Sequence, residues 1–453
     1  MAERLFQLRE RGANVRTELL AGATTFMVMA YIIFVNPSIL SFAGIAALQG
    51  QGPPFPATVA ATCLVAGVMT ILMGLASNYP LAMAPGMGLN AVVAFQLVAG
   101  MKLPWPSAMG VIFLEGLIIT ILVLTGFRQA VMDAIPLALK QAISVGIGLF
   151  LLFIGLVNGG FVKAGQGIPV TLGDLATPQA LVAVVGLLLT MGLMAWGVRG
   201  GLLLGIILTT IFAIAVNAAT GGKAFPTPGM AVVPPTIVSL PDFSTFGQGL
   251  NLEVFARAGL IAGGMAVFSI LLADFFDTMG TVIGIGGQAG WLDRRGALPR
   301  LTPVLLVDSL GAMFGGLASS SSATTYIESA AGVAAGGKTG LSSVFTGAFF
   351  LLALLLSPLA GVVPPQATAA ALIVVGYLMC TVVREIPFAD FEEGFPALVA
   401  ITVMPFSYSI TNGIGAGFVA YSFVKLVRGK GREVHWMMSA VSLAFLLYFW
   451  YHR

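Results

Sequence analysis

The sequence predicts an all-α polytopic membrane protein with fourteen transmembrane segments arranged as a seven-plus-seven inverted repeat. Three observations carry this. Of 453 residues, 58% are hydrophobic and only 9% charged, against about 25% charged in an ordinary soluble domain. Apolar runs of roughly 20 residues, the length that crosses a hydrocarbon layer of about 30 Å, recur along the chain and fall into two sets of seven. Lysine and arginine are distributed unevenly between the intervening loops, which sets orientation. Little chain remains for a soluble domain. The net charge of +3 gives no reason to expect a nucleic-acid partner. Cys63 and Cys380 both fall in apolar runs and read as buried thiols, not as a disulfide or a metal pair.

The first element, 1–16, is a short charged segment holding Arg4, Arg9, Arg11 and Arg16 beside Glu3 and Glu10. The apolar run that follows exceeds the core of a signal peptide and has no small-residue cleavage site, so it reads as a retained first span. The first repeat, 17–220, has spans near 17–42, 57–77, 83–101, 105–127, 137–157, 178–197 and 200–219. A proline-rich stretch, 221–257, reads as an external linker carrying Pro226, Pro228, Pro234, Pro235 and Pro241. The second repeat, 258–430, has spans near 258–284, 301–318, 323–338, 341–362, 367–384, 394–410 and 411–428. The apolar run 436–451 in the tail, 431–453, falls outside the symmetry and reads as a fifteenth span or a surface-lying helix.

With the N-terminus placed in the cytoplasm, the inside set is Arg4, Arg9, Arg11, Arg16, Arg128, Lys140, Arg199, Arg294, Arg295, Arg300, Lys338, Arg384, Lys425, Arg428, Lys430 and Arg432. The outside set is Lys102, Lys163, Lys223, Arg257 and, if the tail crosses, Arg453. This is a positive-inside distribution. An odd number of spans per half inverts the second half, the arrangement of an inverted-repeat transporter. The corresponding third members, YPLAMAPGMGLNAVVAF at 80–96 and ATTYIESAAGVAAGGKTG at 323–340, are both interrupted by glycine, and the first also by Pro85. Short broken segments at matching positions point to a midplane binding site, because unwound backbone is tolerated only where it lines a cavity.

Five carboxylates fall inside spans: Glu115, Asp274, Asp277, Asp308 and Glu328. On insertion scales a charge at a helix centre costs about 2.5–3.5 kcal/mol, so each needs a partner, a watered cavity or a proton. Glu115 and Asp308 lie outside the broken segments and read as structural. Asp274 stands one turn from Asp277, and only one of the two need face a cavity. Asp277, with Thr281 one turn on, and Glu328, with Ser329 beside it, are the functional candidates, and Gly88 and Asn90 follow the break in the third span. One amide and two carboxylates from three helices suit a planar solute that makes several hydrogen bonds. His435 and His452 sit beside the tail and are poor proton relays. GVAAGGKT at 332–339 matches the phosphate-loop pattern, and VLLVD at 304–308 the strand that ends in a magnesium-binding aspartate. Without a soluble α/β domain around them they do not make an ATPase. The GxGxxA at 284–289 fails as a dinucleotide site for the same reason.

APGMGLNA at 84–91, ADFFDTMGT at 273–281 and YIESAAGVAAGGKTGLSSV at 326–344 resemble the signatures of the nucleobase–cation symporter-2 (xanthine/uracil permease) superfamily, specifically its AzgA-like branch of hypoxanthine, guanine and adenine permeases. The resemblance runs over nearly the whole chain, including AISVGIGLFLLFIGLVN at 142–158. The run SSSS at 319–322 stands where the family more usually has Gly-Thr-Ser-Thr. The resemblance implies a core domain of spans 1–4 and 8–11, a gate domain of spans 5–7 and 12–14, and short strand-like pieces in spans three and ten. It implies that Asp277, Glu328 and Asn90 serve the substrate, and it suggests a homodimer in the inner cell membrane.

The expected function is therefore import of a purine nucleobase (hypoxanthine, guanine or adenine) by cation symport, with the proton taken as the coupling ion and sodium as the alternative, and with no enzyme activity, cofactor or metal. Asp277 and Glu328 are the expected proton-linked groups. An anion transporter of related fold is the runner-up, with helix N-termini holding the anion. The two intramembrane acids argue against it.

Overall fold

The computed structural model describes residues 2–125, 134–165, 167–227, 229–234, 236–292 and 298–451. Arg128, Pro228, Pro235, Arg294, Arg295, His452 and Arg453 lie outside the described residues. Within them, eleven helical stretches are long and apolar enough to cross a membrane. Each coincides with an expected span: Val15–Leu40, Phe55–Ser77, Trp105–Thr125, Leu137–Asn158, Pro178–Ala195, Gly201–Ala219, Leu260–Gly287, Leu301–Ala318, Gly340–Val362, Pro365–Glu385 and Ile410–Val427. The remaining three expected spans, 83–101, 323–338 and 394–410, occur as shorter elements. The tail run is a helix, Trp436–Tyr451, packed on Ile410–Val427.

Local chemistry sets the helix ends. Asn14, Thr177 and Ser409 each cap a helix by accepting a backbone N–H three residues on. The first span is not continuous, because Val15–Met29 and Ile32–Leu40 meet at Ala30 and Tyr31. Helices meet through small residues, as expected where lipid supplies no hydrophobic drive for their association. A methyl group on Gly340 would fall 2.0 Å from the Gly74 carbonyl oxygen, and one on Gly376 would fall 2.5 Å from that of Gly148. At one end of Phe391–Ser407, the buried Glu392 accepts from Lys425 (2.8 Å), Arg428 (2.9 Å) and Lys430 (2.7 Å), which ties that helix to the end of Ile410–Val427.

Two features differ from the sequence reading. The loop after Leu137–Asn158 carries a hairpin of two strands, Val162–Ala164 and Val170–Leu172, in a segment whose glycines favour turns. The 221–257 stretch is laid onto the helix ends: Ala231 N–H donates to Val362, Ser239 N–H to Leu355, and Gly247 N–H to Leu317. Its polar composition marks the ends of the bundle, while its backbone pairing is nonlocal.

Candidate functional site

Two further strands sit inside the bundle. We label them β1 (Met83–Pro85) and β2 (Ala323–Thr325). They pair antiparallel with Met83 opposite Thr325, Ala84 opposite Thr324 and Pro85 opposite Ala323. Pro85 and Gly86 end the first strand, and the serine run before the second includes Ser319 and Ser321 at positive φ, so neither segment continues as helix. Two more backbone bonds extend the pairing, Gly86 N–H to Ser322 at 2.8 Å and Tyr326 N–H to Ala82 at 2.9 Å.

A two-stranded ribbon in a membrane leaves two edges that lipid cannot satisfy. Side chains satisfy them here. On the β1 edge, the Thr70 hydroxyl accepts from Met83 N–H (2.9 Å) and donates to the Met83 carbonyl (3.0 Å). On the β2 edge, Asp308 accepts from Thr325 N–H and from the Thr325 hydroxyl, each at 3.0 Å, and from Thr278 at 2.7 Å. The sequence reading of Asp308 as structural matches this bonding.

Each strand feeds a short helix, Met87–Ala91 after β1 and Ser329–Ala334 after β2. Because the strands are antiparallel, these helices run out in opposite directions. The long helix Leu260–Gln288 touches both of them and β2. The expected site residues therefore gather here. Asp277 is partly buried and accepts from the Thr324 hydroxyl at 3.4 Å. Glu328, also partly buried, stands at the N-cap of Ser329–Ala334 and accepts from the Tyr31 hydroxyl at 2.6 Å. Asn90 is fully buried, and both atoms of its amide are without a hydrogen-bond partner among the described residues.

The other candidates are placed differently. Thr281 is partly buried, one turn beyond Asp277. Gly88 packs toward Leu137–Asn158, where an added methyl would fall 2.5 Å from Ile147. The Ser329 hydroxyl accepts from Ala82 N–H (2.9 Å) and donates to the Tyr326 carbonyl (2.7 Å), so it fastens the two broken segments together. Tyr31 is the residue that sequence reasoning missed. Its only signal is a hydroxyl in an otherwise apolar run, at the point where the first span is interrupted.

Glu115 and Asp274 are both wholly buried. They lie against each other, with Ser322 alongside, and their four oxygens accept no well-formed hydrogen bond among the described residues. The phosphate-loop match is also explained. The Glu18 carboxylate accepts from Lys338 N–H (2.9 Å), Thr339 N–H (3.4 Å), Ser342 N–H (3.2 Å) and the Ser342 hydroxyl (2.5 Å). The anion in the cradle is the chain's own side chain, and the segment running directly into the loop is the helix Ser329–Ala334, not the strand that a nucleotide hydrolase requires.

A family model described as "Permease family" matches residues 16–449. The adenine permease AdeP of Escherichia coli is 38% identical over 99% of this chain and 95% of its own length. The guanine/hypoxanthine permease PbuG of Bacillus subtilis is 40% identical over 98% of both. A putative permease of Methanocaldococcus jannaschii is 41% identical over 99% of this chain and 98% of its own. Among solved structures, the transmembrane domain of the cyanobacterial bicarbonate transporter BicA superposes with a TM-score of 0.64 at 16% identity, covering 88% of this chain and 97% of that one. That likeness shows a shared fold and nothing about cargo. The chain is a transporter and not an enzyme, and it belongs to the nucleobase–cation symporter-2 family of permeases.

Proposed function

We propose that this protein imports purine nucleobases by proton symport across the inner cell membrane, with its N-terminus in the cytoplasm. Fourteen spans form the inverted repeat, counting the strand-and-helix segments at 83–101 and 323–338 as spans three and ten. Spans 1–4 and 8–11 make a core that moves against a gate of spans 5–7 and 12–14. The matching roles of Thr70 in span two and Asp308 in span nine, each sealing one ribbon edge, support that symmetry.

The observation that carries the reading is the meeting of one unpartnered amide and two carboxylates, each bonded by a single hydroxyl, around the strand pair. Guanine and hypoxanthine present N–H groups on their pyrimidine edge, and a carboxylate is an acceptor for one or two of them. Adenine lacks the N1 proton and suits a protonated acid. Glu328, oriented by Tyr31, grips the base, and Asn90 supplies a donor and an acceptor. Asp277 takes a proton from outside and releases it inside, since neutralising an acid in a poorly hydrated cavity lowers the penalty for moving it. The relatives' names support purines as the cargo. An anion would meet repulsion from Asp277 and Glu328.

Alternating access requires a core–gate contact that breaks. Gln96, beyond the short helix of span three, accepts from the Ser409 hydroxyl and Thr411 N–H, both at 3.2 Å, and donates to the Thr411 hydroxyl. Tyr408 packs edge-on against Phe95 and Phe150 beside it. This contact closes the outer end in the described state. The test of the whole reading is uptake of radiolabelled purine into vesicles under imposed pH or sodium gradients, competed by each base in turn. Accumulation driven by a pH gradient supports it; accumulation driven only by sodium replaces the proton, and absence of purine uptake overturns it.

A further inference from the structure

The motif at 332–339 is not used by the transport site, yet it borders a cavity of 660 Å3. That volume is within the ~300–1,000 Å3 of small-molecule pockets. Arg11 and Lys338 bring two cations to its wall, Tyr79 and Trp291 two aromatic rings, and Val333 and Gly336 a smooth apolar side. No acidic side chain lines it among the described residues. It is distinct from the strand-pair site. Leu260–Gln288 ends eleven residues beyond Asp277, about 16 Å further along at the α-helical rise, and the cavity lies past that end.

The groups around it are held in place. Arg11 donates from one guanidinium nitrogen to the carbonyls of Asn78 (2.9 Å) and Lys338 (3.2 Å) and stands 5.7 Å from the Tyr79 ring centroid. The Tyr79 hydroxyl donates to the Pro299 carbonyl at 2.5 Å, and its ring lies 5.1 Å from that of Trp291. The Lys338 ammonium bonds the Gly12 carbonyl at 3.2 Å with one of its three protons. Because Glu18 fills the amide cradle, a phosphate here would be taken by the side-chain cations. An aromatic base would lie on Trp291.

We propose that this cavity binds a purine nucleoside monophosphate, without hydrolysis, through phosphate contacts to Lys338 and Arg11 and stacking on Trp291. Phosphate and stacking follow from the cations and the rings, while the choice of purine rests on the cargo proposed above. The cavity opens at the end of the bundle where the N-terminal segment packs, the side on which an imported base is released.

The test is calorimetric titration of the full-length protein in nanodiscs with GMP, inorganic phosphate and guanine. Wild type is expected to bind GMP saturably. Trp291→Leu and Lys338→Gln are each expected to weaken GMP at least tenfold, and inorganic phosphate to bind more weakly than GMP and to be unaffected by Trp291→Leu. Excess guanine is expected not to displace GMP. Absence of saturable GMP binding, GMP affinity equal in wild type and both variants, or displacement by guanine would each overturn the proposal. So would phosphate binding as tightly as GMP, which would leave an anion site with no place for a base. Because the readout is binding and not uptake, failure here is separable from failure of the transport reading.

Discussion

The five intramembrane acids divide into three groups by what the fold puts around them. Asp277 and Glu328 remain partly exposed, with one hydroxyl each as partner. Asp308 is buried with three donors, and Glu115 and Asp274 are buried against each other. All five meet the same hydrocarbon. What separates them is how much of their hydrogen-bonding capacity the chain itself consumes. Asp308 already accepts from the ribbon edge and from Thr278, so three of its roughly four acceptor positions are occupied by the chain itself. Asp277 and Glu328 have most of theirs in hand. The Glu115–Asp274 pair is a third case, because two anions side by side in a low dielectric repel each other and are compatible only when at least one is protonated.

The sharpest way to break this contrast is to remove the gripping charge. A hydrogen bond to a charged group contributes about 1.5–3 kcal/mol, so Glu328→Gln is expected to weaken purine binding roughly 10- to 150-fold, measured as the dissociation constant in detergent. Affinity within twofold of wild type would move Glu328 into the structural group. Asp277→Asn tests the other exposed acid. Uphill accumulation under a pH gradient should be lost, while exchange of labelled for unlabelled purine continues. Unchanged uphill uptake would refute the proton-linked role.

Asp308→Ala probes the filled acid by the opposite readout. It strands Thr325 N–H and two hydroxyls, and each buried group left unsatisfied costs about 1–3 kcal/mol. The expected result is a large fall in thermal stability even where purine is absent. A stable Asp308→Ala protein lacking only transport would place Asp308 with Asp277 instead. For the facing pair, Glu115→Gln stands in for a protonated acid of the same shape, so stability should stay near wild type. Glu115→Leu leaves Asp274 alone in an apolar wall and should destabilise strongly. Equal stability of the two variants would mean that Asp274 gains nothing from a polar neighbour at position 115.

How far the sequence was readable follows the same division. Eleven apolar helices fall where hydropathy places spans, because burial in lipid is a property of about 20 consecutive residues. The strand at Met83–Pro85 and the short helix at Ser329–Ala334 lie in segments whose glycines and Pro85 are equally local signals. Pairing of Met83–Pro85 with Ala323–Thr325 links residues some 240 apart, and no local pattern reports that. The partner of Asp308 could not be read locally, because Thr325 only becomes a neighbour once the ribbon exists. The phosphate-loop match could be set aside from sequence, but what fills it could not be read there: the motif describes backbone amides that want an anion, and Glu18, more than 300 residues earlier, supplies it.

Tyr31 is the smallest and most discriminating test of the contrast. A tyrosine in an apolar span is ordinarily core filling, and Tyr31 is fully buried. Its hydroxyl nevertheless stands 2.6 Å from Glu328, and it comes from a different span, at the interruption between Val15–Met29 and Ile32–Leu40. If the hydroxyl only satisfied Glu328, removing it would leave an acid freer to accept from the substrate, and affinity would rise or stay constant. If it orients the carboxylate, Tyr31→Phe keeps the ring and its packing while releasing the acid to other rotamers. One such bond contributes about 1 kcal/mol, so the expected outcome is a roughly fivefold rise in the KM for purine, with thermal stability close to wild type. In Glu328→Gln background the same substitution should then have little further effect, since there is no charge left to orient. A fivefold loss that persists in the double variant would show that Tyr31 contacts the substrate directly.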